Sequence, residues 1–143
     1  MKKHAILFLL TCLIAAGCSS NASMEEIDEA KTREVLDHHW ETFLANDLEG
    51  VMEDYTESSV LVTPSGTYKG LEEIRGNFIN AFKAFPTQEA TLTLTESKVV
   101  QDIGYILWEA NTPGFNLSFA TDTFIIRDGK IVRQTYAGVR EAK

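Results

Sequence analysis

Apolar residues in the early part of the chain recur every three or four positions, which is the spacing of one face of an α-helix. Ser23 followed by Glu26 forms a capping box, so the pattern predicts that a first helix begins near Met24. The apolar positions of this helix are Ile27, Ala30, Val35, Leu36, Trp40, Phe43 and Leu44. The helix is expected to end at Asn46 and Asp47, since both residue types favour turns and caps.

Two more helices are predicted on either side of a short strand pair. Asp47 can cap a second, short helix. Residues 60–63 predict a strand, and the Pro-Ser-Gly sequence at residues 64–66 predicts its turn. A third helix is predicted over about residues 71–85, because the residue before Pro86 avoids helical backbone angles.

From residue 91 onward the hydrophobic period changes to two. Residues 91–95 alternate threonine and leucine, as a half-buried strand does. Further strands are predicted at residues 99–100, 105–110, 117–126 and 130–137. Helices followed by a sheet predict an α+β fold, with three N-terminal helices packed on a strongly curved, mostly antiparallel sheet.

The first residues of the chain are typical of a secretion signal. Lys2 and Lys3 form a basic start, and the apolar run at residues 5–16 is too short to span a bilayer. The small residues before Cys18 resemble the lipobox of bacterial lipoproteins, in which the signal is removed and the cysteine thiol is acylated.

The resemblance to the lipobox divides the chain into three parts. We expect a lipoprotein signal peptide at residues 1–17, a tether at residues 18–23 and one domain at residues 24–143. Lipid on Cys18 would hold the domain in the cell envelope, facing the periplasm or the exterior, and at the outer membrane in a Gram-negative organism. A signal cut elsewhere, with Cys18 left free, is the alternative.

Charge and cysteine content limit the partners of the mature domain. Removing residues 1–17 takes away two lysines and no acidic residue, which leaves 11 basic and 21 acidic side chains and a net charge of −10. Such a surface repels nucleic acid and anionic headgroups, so membrane contact is expected through the lipid alone. Cys12 leaves with the signal and Cys18 carries lipid, so no thiol remains for a disulfide or a nucleophile. No metal or other cofactor is predicted.

Two stretches carry a resemblance to a known family: residues 46–78 (NDLEGVMEDYTESSVLVTPSGTYKGLEEIRGNF) and residues 121–132 (TDTFIIRDGKIV). The chain resembles a SnoaL-like domain of the nuclear transport factor 2-like superfamily, whose members include ketosteroid isomerase and the polyketide cyclases. The resemblance implies a cone-shaped α+β barrel with an apolar pocket, and a homodimer formed sheet to sheet. It implies no single activity, because the superfamily contains several enzyme classes and proteins with no known activity.

Asp122 is the first candidate for chemistry, and its orientation depends on the last hairpin. A three-residue loop pairs Ile126 with Lys130 and turns Asp122 toward the apolar face. The side chains sharing that face would be Ala120, Phe124, Ile126, Val132, Gln134 and Tyr136. A two-residue Asp-Gly loop would shift the register by one and pair Asp122 with Thr135.

An inward Asp122 would be a carboxyl group among apolar side chains. Burial disfavours its charged form, which should raise its pKa and let the neutral acid donate a hydrogen bond to a developing oxyanion. The resemblance agrees, because it places Asp122 at the oxyanion-hole aspartate of ketosteroid isomerase. An aspartate bonded for structure to a nearby hydroxyl or to Arg133 is the alternative.

His39 is the second candidate. It follows the apolar stripe of the first helix, whereas His38 lies about 100° around the helix and should be more exposed. The resemblance places His39 at the oxyanion tyrosine of ketosteroid isomerase, where a histidine could donate or shuttle protons with Asp122. A packed histidine with one satisfied nitrogen is the alternative. Neighbouring histidines on a helix point apart, so the pair is not expected to bind one metal ion.

Thr63 marks a departure from the family pattern. The resemblance places it where ketosteroid isomerase has its general base, and a threonine hydroxyl is too weak a base to remove a carbon-bound proton. Thr63 is therefore predicted only to contact a ligand. The other predicted pocket residues are Trp40, Tyr55, Phe78, Phe82, Phe124, Gln134 and Tyr136. Glu109 would be a second acid if its side chain faced inward.

Two functions fit these observations. The first is a lipid-anchored envelope protein that binds a small apolar molecule or a partner, without the catalysis of ketosteroid isomerase. The second is an acid–base enzyme of the isomerase, cyclase or dehydratase type, which uses His39 and Asp122 on a small apolar substrate. The missing base at Thr63 favours binding, and the expected positions of His39 and Asp122 favour catalysis.

Overall fold

The computed structural model of the protein describes residues 27–143. The predicted signal peptide, tether and capping box lie outside these residues. The helices are α1 (Glu29–Leu44), α2 (Leu48–Glu53) and α3 (Gly70–Ala84). The strands are β1 (Val60–Thr63), β2 (Gly66–Lys69), β3 (Thr91–Val100), β4 (Ile103–Asn111), β5 (Phe115–Arg127) and β6 (Lys130–Ala142). None of the helices in this part of the chain has the length and apolarity needed to cross a membrane.

Helix α1 begins later than predicted. Its N-cap is Asp28, whose carboxylate accepts a hydrogen bond of 3.0 Å from the backbone N–H three residues on. Ile27 and Asp28 are not helical, so the predicted start near Met24 is wrong. Three of the predicted apolar positions are exposed, namely Ile27, Ala30 and Leu44. The core-facing side is formed by Thr32, Val35, Leu36 and His39.

The six strands form one curved, unclosed sheet in the order β2-β1-β6-β5-β4-β3. Every neighbouring pair is antiparallel except β1 and β6, which run parallel. The three helices pack on one face of this sheet, so the predicted α+β class is confirmed. Within the described part of the chain, the buried apolar cluster extends from Val35 to Ile131.

The β5–β6 hairpin departs from the predicted three-residue loop. Arg127 pairs with Lys130, which leaves a two-residue loop of Asp128 and Gly129. Both loop residues have positive φ, 50° and 70°. This is the type I′ geometry whose twist matches that of the flanking strands. The predicted pairing of Ile126 with Lys130 is therefore wrong.

The two-residue loop alone would pair Asp122 with Thr135, but a bulge in β6 shifts the pairing by one more residue. The register shifts at Val132, and beyond it Asp122 lies opposite Tyr136 rather than Thr135. Ile131, on the loop side of the bulge, is fully buried, whereas Val132 is only half-buried. The prediction that Asp122 lies on the inner face is thus confirmed, and the prediction that Val132 shares that face is wrong.

Candidate functional site

The inner face of the sheet and helices α1 and α3 enclose a cavity of 420 Å³. Most of its lining is apolar: Trp40, Phe43, Leu61, Phe78, Ala81, Ala84, Phe85, Ile106, Trp108, Phe115, Leu117 and Phe124. Its buried polar side chains are His39, Asp122 and Gln134. Its more exposed polar side chains are Thr63, Ser65, Tyr68, Asn77, Asn80, Tyr136 and Arg140.

Asp122 is 5% exposed and is held by two neutral donors. The indole Nε1–H of Trp108 donates to its Oδ2 at 2.9 Å, and the amide of Gln134 donates to its Oδ1 at 2.8 Å. The amide oxygen of Gln134 in turn accepts from the hydroxyl of Tyr55. Strand alternation puts Trp108, Asp122 and Gln134 on one face of three adjacent strands, so the network follows from the sheet register.

Burial raises the pKa of Asp122 above its ordinary value of 3.8. The hydrogen bonds from Trp108 and Gln134, and the nearby imidazole of His39, oppose that rise without cancelling it. Burial and the charges of Asp122 and Asp54 raise the pKa of Tyr55 well above 10.0, so its hydroxyl stays a donor. Burial on the sheet side of the cavity therefore shifts the pKa of Asp122 in the direction that favours its protonated form.

His39 is 4% exposed and is anchored by Asp54, a residue that the sequence did not suggest. The Nδ1 atom of His39 lies 3.1 Å from Oδ2 of Asp54, and the Nδ1 atom of His38 lies 2.8 Å from Oδ1. An ionised carboxylate only accepts, so both imidazoles donate from Nδ1. The two rings do leave the helix in different directions, since the side chain of His38 is 40% exposed. They still meet the same carboxylate, through its opposite oxygens.

The ring of His39 faces the cavity in an aromatic environment. It packs edge-on against Tyr55, Phe78 and Phe124, with ring centroids 5.6, 5.7 and 5.2 Å away. Its Nε2 atom has no hydrogen-bond partner among residues 27–143. When Nδ1 carries the hydrogen, Nε2 of the neutral ring is the basic nitrogen. The contact with Asp54 at Nδ1 therefore leaves Nε2 as the acceptor nitrogen of the neutral ring.

Thr63 lines the cavity, but its hydroxyl takes part in the turn between β1 and β2. It accepts from the backbone N–H of Ser65 at 3.1 Å and donates to the carbonyl of Gly66 at 3.4 Å. The second of these hydrogen bonds is long and weak. Thr63 therefore helps to close the turn and can offer a ligand only a weak contact.

The other predicted pocket residues divide into two groups. Those that line the cavity are Trp40, Phe78, Phe124, Gln134 and Tyr136. Tyr55 and Phe82 do not line it: Tyr55 lies behind Gln134, and Phe82 packs against Phe43 and Phe78. Glu109 is exposed, because its strand turns Ile106, Trp108 and Ala110 inward, so it supplies no second acid.

Asp54, which contacts His39, and the cavity residues Trp108 and Arg140 were not predicted from the sequence. Asp54 carried one usable signal, because an acidic residue at a helix C-terminus is unfavourable unless a donor compensates it. Trp108 lies on a strand whose inward set could not be chosen from alternation alone. Arg140 lies beyond the predicted end of the last strand, which continues to Ala142. Each makes its contact with a residue of another secondary-structure element, namely His39, Asp122 and Phe115 respectively.

The fold and its cavity define a class of α+β proteins in which helices cover one face of a curved sheet. A family model of the SnoaL-like domain matches residues 36–134. The chain therefore belongs to the SnoaL-like domain family, as the resemblance implied. No curated protein matches the sequence.

Solved structures agree on the fold. An NTF2-like protein of unknown function from Burkholderia xenovorans LB400 superposes with a TM-score of 0.65 at 20% identity, covering 77% of this chain and 84% of that one. A candidate polyketide cyclase from Sinorhizobium meliloti gives 0.63 at 21% identity, covering 73% and 94%. A candidate ketosteroid isomerase from Kribbella flavida gives 0.67 at 15% identity, covering 79% and 81%. Identities this low establish the fold alone.

Proposed function

We propose that this domain binds a small, mostly apolar molecule in its cavity. The cavity itself carries the proposal: its 420 Å³ falls within the range of about 300–1,000 Å³ that is usual for small-molecule pockets. Its lining combines many aromatic side chains with few polar ones, as such pockets do. The apolar lining would hold the body of the ligand, and the buried polar groups would fix its orientation.

The polar group of the ligand would meet Asp122 and His39. A protonated Asp122 can keep both hydrogen bonds that it accepts and donate its own proton to a carbonyl or hydroxyl oxygen. The free Nε2 of His39 can accept a hydrogen bond from a hydroxyl or an amide. A ligand with one oxygen-bearing end and an apolar remainder suits this distribution.

Native mass spectrometry of the protein purified from its source tests binding. The expected result is a retained mass of small-molecule size that is released on unfolding. Ala84 lines the cavity from the end of α3, so Ala84→Phe should fill space and abolish retention. Ala30→Phe, on the exposed side of α1, is the matched control and should retain the ligand. Equal occupancy in the two variants would contradict the proposal.

Acid–base catalysis is the second candidate, and the contact between Asp54 and His39 favours it. An imidazole that is oriented at Nδ1 by a carboxylate and free at Nε2 is placed to remove a proton from a bound substrate. Asp122 would then stabilise negative charge that develops on the substrate oxygen. This arrangement supplies a base at His39 rather than at Thr63.

The ring opening of 5-nitrobenzisoxazole tests for that base, because it begins with removal of a carbon-bound proton and releases a coloured phenolate. We expect the protein to accelerate it and His39→Gln to remove the acceleration. His38→Gln should keep most of the acceleration, since His38 does not line the cavity. Loss of the acceleration in His38→Gln but not in His39→Gln would exclude this role for His39.

We also propose that the chain is a lipoprotein of the cell envelope. The lipobox-like residues before Cys18 support this, together with an acidic surface that would bind anionic membranes poorly without lipid. Metabolic labelling with an alkyne fatty acid should mark the protein and move it to the membrane fraction. Cys18→Ser should abolish the labelling and the association with the membrane fraction. Labelling of Cys18→Ser would contradict a lipid anchor at Cys18.

A homodimer through the outer face of the sheet is the remaining proposal. Phe119 and Val139, which pair across β5 and β6, are 44% and 53% exposed on this face, and Ile103 is 40% exposed. Exposed apolar side chains grouped on one face are typical of an interface. Light scattering should show a dimer that Phe119→Lys dissociates. Ile79→Lys, on the exposed side of α3, should leave it intact.

A further inference from the structure

Arg140 is the one permanently charged basic side chain in the described lining of the cavity. It lies near the end of β6, opposite Leu117 of β5, and the same strand carries Gln134 on the inner face. Arg140 is exposed to solvent, whereas Asp122 and His39 are buried. The cavity therefore has a cationic group at its opening and a carboxyl group in its interior.

Among residues 27–143, the guanidinium of Arg140 is held by an aromatic ring rather than by a carboxylate. Its central carbon lies 3.6 Å from the centroid of the Phe115 ring, a cation–π contact. Phe115 is itself buried and packs edge-on against Phe85, with ring centroids 5.5 Å apart. A guanidinium that lies over a ring keeps its N–H groups free around its edge. Arg140 is thus positioned and still has its donors available.

The other arginines of residues 27–143 all have partners within the protein. Arg33 pairs with Asp37, Arg75 with Glu49 and Arg127 with Asp102, and Arg133 donates to the carbonyl of Ser58. Arg140 has neither an ion pair nor a hydrogen bond to any of the described residues. This is notable in a chain with 21 acidic against 13 basic side chains, where a partner would be easy to supply.

We infer that Arg140 selects ligands that carry a carboxylate or a similar anionic group at the open end of the cavity. The inference rests on the proposed binding function and specifies its ligand class. The anion would take the free N–H edge of Arg140, the apolar body would lie along Phe85 and Trp108, and any polar group at the far end would reach Asp122. The planar fork of N–H donors suits a carboxylate, which it can bind bidentately.

A matched pair of probes tests the inference, namely 2-naphthoate and 2-naphthamide, which share an apolar body and differ in charge. Isothermal titration of the purified protein should show about tenfold tighter binding of the naphthoate, since one charge-assisted hydrogen bond contributes on this scale. Arg140→Gln should remove that difference, because it weakens the binding of naphthoate more than that of naphthamide. Arg133→Gln, which changes an arginine on the outer face of the sheet, should preserve it.

Two results would overturn the inference in distinguishable ways. Equal affinity of the native protein for both probes, or a preference for naphthoate that survives in Arg140→Gln, would exclude the role of Arg140 and leave the binding function standing. Failure of the native protein to bind either probe would count against the binding function and the inference together. A matching midpoint of thermal unfolding should confirm that Arg140→Gln is folded, as expected for an exposed side chain.

Discussion

The helix side and the sheet side of the cavity each bury one carboxyl group, but they stabilise it differently. Asp54, at the end of α2, is 5% exposed and meets two imidazoles. Asp122, in the middle of β5, is also 5% exposed and meets an indole and an amide. The two carboxyl groups are equally buried, so the difference between their sites lies in their hydrogen-bond partners.

An imidazole can carry a proton, whereas an indole and an amide cannot. A negative charge on Asp54 can therefore be balanced by either histidine. A negative charge on Asp122 meets only neutral donors in direct contact, and burial raises its pKa. Equal burial thus leaves the two carboxyl groups with different neighbours, two imidazoles around Asp54 and two neutral donors around Asp122.

The largest effect is expected from removing the anchor on the helix side. Asp54→Ala leaves two imidazole donors without an acceptor, and should lower the free energy of unfolding by about 3 kcal/mol, since hydrogen bonds to charged groups are worth about 1.5–3 kcal/mol each. Urea unfolding at neutral pH measures this change. Asp37→Ala, on the exposed side of α1, should lower it by less than about 0.5 kcal/mol. A loss for Asp54→Ala below that of Asp37→Ala would show that Asp54 anchors nothing.

A smaller effect is expected on the sheet side, where the partners are neutral. Tyr55→Phe removes the hydroxyl that donates to Gln134 and should lower the free energy of unfolding by about 1.5 kcal/mol, because a buried amide oxygen loses its donor. Urea unfolding measures this change in the free energy of unfolding, and Tyr105→Phe on the outer face of the sheet is the control. If both variants unfold at the same urea concentration, the network behind Asp122 contributes nothing to stability.

The pH dependence of Asp122→Asn tests whether burial favours the protonated form of Asp122. Folded Asp122 has a pKa above 3.8, so it stays protonated where the unfolded chain has already lost that proton. The stability that this contributes is fully present below pH 3.8 and is lost as the pH rises through the folded pKa. The free energy of unfolding of the native protein minus that of Asp122→Asn should therefore fall as the pH rises, and then level off.

Urea titrations of both proteins between about pH 4 and about pH 8 measure this difference. At neutral pH we expect the exchange to cost about 1 kcal/mol, because asparagine has the same shape but its amide nitrogen cannot accept, so either Trp108 or Gln134 loses its acceptor. A difference that grows with pH would mean that the carboxylate is the favoured form, and would remove Asp122 as an acid.

The smallest effect concerns the outer histidine. His38→Gln should lower the free energy of unfolding by only about 0.5 kcal/mol, because the side chain of His38 is 40% exposed and Asp54 keeps its bond to His39. His39→Gln should lower it several times as much, since that ring is buried among three aromatic rings. Similar losses for the two variants would mean that Asp54 holds both rings equally.

Local signals in the sequence predicted most of the elements. Alternation and turn residues predicted β1 at its observed bounds, and Pro86 limited α3 to within one residue. Asp47 caps α2 as expected, through a hydrogen bond of 3.0 Å to the N–H of Gly50. Helix α1 begins later than predicted, with Asp28 as its N-cap.

The sequence alone was enough to predict the α+β class and the helical spacing that turns His39 inward. Both depend on spacing within single elements, which local sequence controls. The tertiary structure decided the rest: the bulge that keeps Asp122 opposite Tyr136, the meeting of Asp54 with two histidines, and the position of Arg140 over Phe115. Each joins residues that lie far apart along the chain or depends on the pairing of two strands, and only the packing of the whole sheet against its helices fixes such contacts.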